Sequence, residues 1–159
     1  MKPINIVLCL ILVLLVAFGA FFYTGGALQA EVSALSAAAA DYPEAFEAVR
    51  GVLQSDSAPQ RFSEELPQDA PGYSLLDVNI RLTNRGIFDA EWLNIQLLPT
   101  NGDVAVYSLT GDALDVSARG SEQINLKLIT RAPAGSVRRV RIQYYVYGVS
   151  RTIEVDVRA

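Results

Sequence analysis

Four side chains near the C-terminus, Arg139, Arg141, Tyr145 and Tyr147, fall with Gln143 on every second position of one run, so a β-strand presents them together on one face. Flat aromatics beside guanidinium groups are chemistry for recognition rather than for bond making, and both residue types are enriched at interfaces. The row is therefore a candidate interaction surface, although tyrosine and arginine also suit ordinary exposed strand positions. Asp112 with Asp115, and Asn101 with Asp103, offer loop oxygens of the kind that ligate calcium. They lack the EF-hand spacing, and turn formation accounts for the same residues, so no metal is expected. Two acids for glycoside hydrolysis need a cleft between them, and little chain is left over here to build one.

Other chemistries are excluded by residue type. The 159-residue chain has no histidine and one cysteine. It has neither the imidazole of a Ser-His-Asp or Cys-His mechanism nor the ligands of a histidine-based metal site. Apart from Gly25-Gly26 its glycines fall singly, mostly in turns, and they match no phosphate-cradling loop. No catalytic residue, metal or cofactor is expected, and the chain is not expected to be an enzyme. The net charge of −4 gives no attraction for a phosphate backbone, so nucleic acid is not an expected partner.

The elements that would position the tyrosine row begin with a different kind of sequence. Mean hydropathy is +0.26 and 51% of the residues are hydrophobic, largely because of Ile4–Phe22, which has no charge and only Asn5 as a clearly polar residue. As a helix it is roughly 28 Å long, about a bilayer core. Residues 1–24 are expected to be a transmembrane anchor associating with the membrane through residues 4–22. The run exceeds the apolar region of a usual signal peptide, although Gly25-Gly26-Ala27 would suit a peptidase. Lys2 precedes the run and acids follow it, so the expected protein is single-pass, with a cytoplasmic N-terminus and an extracytoplasmic C-terminal domain. Cys9 lies near the start of the run, where a lipobox cysteine would come at its end, and is expected to be a small apolar side chain.

Between the apolar run and the domain, Leu28, Val32, Leu35, Ala39, Tyr42, Phe46, Val49 and Leu53 recur at spacings of four and three. This predicts a helical stalk over 27–54, in two pieces broken near 41–43, where Asp41, Pro43 and Glu44 form a helix start. Self-association through the stripe is not favoured, because the flanking Ala, Ser and Gln offer few charges to choose a partner. Residues 55–72 are expected to be a linker, with a short edge strand around Arg61–Leu66.

From residue 73 to 159 the period changes to two. Leu76, Val78, Ile80 and Leu82 share one face, and Leu93, Ile95 and Leu97 another, across an Asn84-Arg85-Gly86 turn that needs only backbone freedom. Further runs at 104–109, 113–117, 124–129, 137–147 and 151–157 make about seven strands with no helix between them. The expected fold is all-β: an immunoglobulin-like antiparallel β-sandwich preceded by the N-terminal transmembrane helix and the stalk. A two-residue Gly148-Val149 turn would pair Tyr144 with Ile153, Ile142 with Val155 and Val140 with Val157, leaving Arg141 opposite Asp156 and Gln143 opposite Glu154. Trp92 is expected to pack at the sheet edge or cover the sandwich mouth.

With "VNIRLTNRG" followed by "DVSARGSEQINLKL", residues 74–158 resemble the small sandwiches of the late-embryogenesis-abundant type 2 (water-stress, WHy) class, and also the CARDB modules of exported bacterial and archaeal proteins. The resemblance implies a non-enzymatic binding or protective domain and carries over no site residues. The expected function is a membrane-anchored extracytoplasmic module that binds a protein partner or a surface polymer. The alternative is a structural subunit of a cell-envelope assembly such as a pilus or motor anchor. A pilin would carry a glycine before the apolar helix and a glutamate early inside it, and neither is present.

Overall fold

Leu76, Val78, Ile80 and Leu82 are all buried, as an alternating strand with one face on a core requires. They belong to the third strand of a computed structural model that describes residues 3–24, 28–111 and 115–159, with side-chain surroundings given for 4–20 of the first stretch. The elements are α1 (Pro3–Thr24), β1 (Leu28–Ala38), a 3-10 turn at Ala39–Asp41, α2 (Pro43–Gln54), β2 (Gln60–Arg61), β3 (Ser74–Asn84), β4 (Glu91–Leu98), β5 (Asp103–Thr110), β6 (Ser121–Thr130), β7 (Val137–Val146) and β8 (Val149–Arg158). Two antiparallel sheets result, ordered β1-β3-β6-β5-β2 and β4-β7-β8. Between them lies one core, to which β3 gives its four alternating residues, β6 gives Ile124, Leu126 and Leu128, and β7 gives Val140, Ile142, Tyr144 and Val146.

Three expectations are corrected, two of them in the N-terminal part. A helix forms over the apolar run, but among the described residues no helix is long and apolar enough to cross a membrane. The expected transmembrane helix is therefore not found.

The expected helical stalk is the second correction. Its first half is β1, paired with β3 along its whole length from Leu28↔Asn84 to Ala38↔Ser74. A spacing of four is a helix turn and also two strand steps, so Leu28 and Val32 satisfy either period. Leu35 separates them: the strand turns it outward, 78% exposed, while Ala30, Val32 and Ala34 pack on the core. Eleven residues of sheet pairing outweigh the helix propensity of the alanines.

The second half of the stripe is helical as expected. α2 starts at Pro43 and buries Phe46, Val49 and Leu53 against Tyr73, Val104, Ala105 and Ile129 on the outer face of the five-stranded sheet. Its cap differs: the residue before the helix is Tyr42, with no side-chain capping bond, and Asp41 closes the 3-10 turn instead.

The linker contributes only β2 at 60–61, pairing with Ala105 and Val106 of β5. Of the run expected at 113–117, Ala113 and Leu114 lie outside the described residues, and Val116 forms a single bridge with Ala90.

The last hairpin is the third correction. Val146 pairs with Val149, so Ile142 faces Ile153 and Val140 faces Val155, two residues away from the expected register. The turn is Tyr147-Gly148, and both residues have positive φ, 53° and 72°, the combination that matches the twist of a two-residue hairpin. A slip of two keeps every side chain on its face, so the alternation excludes a slip of one and leaves this one open. The charge pairing survives with different partners: Arg139 reaches Asp156 at 2.8 Å and Arg141 reaches Glu154 at 2.8 Å.

At one end of the sandwich an ion pair joins the two sheets. Arg138 of β7 donates from Nε to both oxygens of Asp103 at 3.0 and 3.1 Å and from Nη2 to Oδ1 at 2.8 Å, and both side chains are buried. The Asp103 carboxylate also accepts from Thr130 Oγ1 at 2.7 Å and from the Thr100 amide at 2.8 Å. Asp103, considered above as a calcium ligand, is thus fully engaged by protein donors.

Candidate interaction surface at the aromatic end

The opposite end of the sandwich is organised by one buried side chain. Asn84 ends β3; its Nδ2 donates to the carbonyls of Phe88 at 2.8 Å and Val116 at 3.0 Å, and its Oδ1 accepts from the Gly86 amide at 2.9 Å. The Asn84-Arg85-Gly86 segment is therefore more than a reversal of the chain, because Asn84 ties the 85–90 loop to the 115–120 segment. Asp89 adds a second tie by accepting from the Ala118 amide at 2.7 Å, and Ala90 exchanges two backbone bonds with Val116 at 2.7 and 2.9 Å.

This frame positions the start of β4, where the pairing with β7 breaks. Glu91 faces Tyr145 and Asn94 faces Gln143, so β4 carries one residue more than its partner, a β-bulge. Trp92 lies in the bulge with φ of +56°, a left-handed conformation that a bulky residue adopts only at a cost of order 1–3 kcal/mol. Its amide donates to Asp115 Oδ1 at 2.9 Å, and the indole stands 75% exposed. The expectation that Trp92 covers the edge or mouth of the sandwich does not hold. The bulge turns it out to solvent, and no local residue pattern marks that, because the fixing carboxylate is 23 positions away.

Tyr145 and Tyr147 stand beside it. Tyr145 is 42% exposed and Tyr147 67% exposed, the latter set edge-on against Phe88 with ring centroids 4.4 Å apart and planes at 82°. Glu91, Trp92, Tyr145 and Gly148 line a hollow of about 460 Å³, which adjoins one of about 390 Å³ lined by Ile87, Phe88, Asp89, Glu91 and Tyr147. The candidate row is thus divided. Tyr145 and Tyr147 join Trp92 in an aromatic end, whereas Arg139 and Arg141 sit farther along β7 in ion pairs with Asp156 and Glu154. The hydrogen bond and charge of Asp156, followed by the charge of Glu154, hold Arg139 still more firmly protonated.

Inward from the row, burial pushes the Tyr144 hydroxyl above its ordinary pKa, partly offset by a hydrogen bond with the Leu28 backbone and by the charge of Arg151. That bond places the first residue of β1 at the aromatic end. A larger hollow, about 670 Å³, lies on the outer face of β1, β3 and β6 around Glu31, Asn79, Arg81 and Glu122; no aromatic side chain lines it. Among the described residues no group of three or more Cys, Asp or Glu side chains could hold a metal ion. Of the acids weighed for calcium, Asp115 holds the Trp92 amide and Asp112 lies outside the described residues.

No family model and no curated protein matches the chain. Among solved structures it is similar to the GAE domain of GGA2p from Saccharomyces cerevisiae, at 13% identity and a TM-score of 0.39 over 61% of this chain and 97% of that one. It is also similar to a FixG-related protein from Vibrio parahaemolyticus, at 9% identity and a TM-score of 0.36 over 81% and 94%. Likeness at these identities concerns fold alone, and the fold the two sheets define is a β-sandwich.

Proposed function

We propose that the chain is a non-catalytic interaction module that works at a membrane surface, with its apolar N-terminal segment in lipid and the aromatic end of the sandwich as its working face. The observation that carries this is Trp92, held in a left-handed conformation on a bulge and exposed beside Tyr145 and Tyr147. Backbone strain that exposes a large aromatic costs stability and gains nothing in packing, so contact with a partner is its reasonable use. The apolar segment supports the membrane part, because its large side chains from Ile4 to Phe18 are exposed at roughly half their area or more, and apolar surface on that scale seeks cover. A non-enzymatic role also agrees with the resemblance of residues 74–158 to the water-stress and CARDB sandwiches.

The test is flotation of the full chain with phosphatidylcholine vesicles. The wild-type chain is expected to float, and an Ile11→Asp, Leu15→Asp variant to stay largely in the dense fraction, since charges placed on the apolar segment oppose its burial in lipid. A wild-type chain that remains in the dense fraction, or a double variant that floats as well as wild type, contradicts the proposal.

A further inference from the structure

We propose that the aromatic end of the sandwich docks onto the lipid headgroup layer itself, so that Trp92, Tyr145 and Tyr147 form an interfacial belt and the opposite end, with Asp103 and Arg138, faces away from the membrane. This rests on the membrane association proposed above and adds which surface meets the lipid. Three observations carry it.

The first is chain connectivity. α1 ends at Thr24 and β1 begins at Leu28, four Cα steps that reach at most about 15 Å. The point of entry is the aromatic end: Leu28 pairs with Asn84, Asn84 binds the Phe88 carbonyl, and Phe88 packs on Tyr147. A sandwich whose first strand starts within that distance of a lipid-embedded helix must present this end to the membrane.

The second is composition. Tryptophan and tyrosine favour the boundary between acyl chains and water, because each joins an apolar ring to a polar group. The single tryptophan of the chain and two exposed tyrosines gather here together with exposed Ile87 and Val149. At the other end Tyr42 and Val137 are exposed singly, and the loops around Asn101 and Gly135 carry no comparable aromatic cluster.

The third is charge. Arg85 and Arg119 are exposed on the two loops of this end, and no ion pair among the described residues engages either guanidinium. Guanidinium groups suit headgroup phosphates. The nearby acids are Asp89 and Asp115, which accept from the Ala118 and Trp92 amides, and Glu91. Mixed signs match a zwitterionic headgroup better than a strongly anionic one, so phosphatidylcholine is the appropriate lipid.

Because Trp92 is the only tryptophan, the full wild-type chain carries its own probe. With phosphatidylcholine vesicles, its emission is expected to shift to the blue, its quenching by aqueous acrylamide to fall severalfold, and lipid brominated near the headgroup to quench it. A chain that floats with the vesicles while Trp92 remains as open to acrylamide as without lipid overturns the docking but leaves the membrane association, and assigns the aromatic end to a protein partner. A chain that does not float overturns both. Arg85→Ala with Arg119→Ala is expected to reduce the bromolipid quenching while leaving flotation through α1 in place; quenching unchanged by the double substitution removes the guanidinium–phosphate contact from the proposal.

Discussion

Replacing Arg138 with alanine is expected to lower the unfolding free energy by about 3–5 kcal/mol, the usual result of leaving one member of a buried ion pair without its partner. Asp103 would keep the Thr130 hydroxyl and the Thr100 amide but lose the cation that neutralises it. The loss falls on the contact that joins β5 of one sheet to β7 of the other. The pair does not by that fact stabilise the fold relative to an apolar substitute. Arg138→Met combined with Asp103→Leu, which removes both charges together, is expected to recover most of the stability. Urea denaturation of the three full-length proteins checks both expectations, and a single substitution costing under about 1 kcal/mol, as exposed pairs do, would contradict the burial.

Asn84→Ala is expected to cost about 2–4 kcal/mol and to disturb the aromatic end at the same time. The amide side chain serves the Phe88 and Val116 carbonyls and the Gly86 amide, and each buried group left unpaired costs about 1–3 kcal/mol, less where water can enter. Asn84→Asp is not expected to rescue it. The carboxylate can still accept from Gly86, but it sets a charged acceptor against two carbonyl oxygens. Once Phe88 is released, Tyr147 loses the ring it packs on, so Trp92 emission should change along with the melting temperature. Loss of stability with an unchanged Trp92 spectrum would mean that the loop and the bulge are independent.

The strands that form the central core are legible in the sequence because both faces of each speak at once. β3, β6 and β7 alternate buried aliphatic residues with polar ones, and a period of two has few other solutions. The hairpin register is not legible to the same degree: an offset of two keeps every side chain on its face and still sets Arg141 opposite Asp156, although it leaves Arg139 facing Arg158, whereas the observed register gives both arginines an acid and places Tyr147 and Gly148 in the turn with positive φ. β1 reads as helix for a related reason: its alanines favour helix locally, whereas the strand it pairs with lies tens of positions away in the chain. Half of the candidate row, Tyr145 and Tyr147, can be picked out from residue type and spacing. Trp92 cannot be placed with them, because its exposure depends on a bulge whose fixing contact, to Asp115, is long-range. The roles of Asp103 and Asn84 are hidden in the same way: as isolated letters both suit turns, and their partners Arg138 and Val116 are 35 and 32 positions distant.

Segment-resolved hydrogen exchange on the full chain, with and without phosphatidylcholine vesicles, tests most directly that one end of the sandwich faces a membrane and the other does not. Protection on adding lipid is expected in α1 and at residues 85–92, 117–120 and 147–149, with residues 99–103 and 132–136 exchanging as before. Protection at 99–103 and 132–136 instead, or in α1 alone, would contradict it.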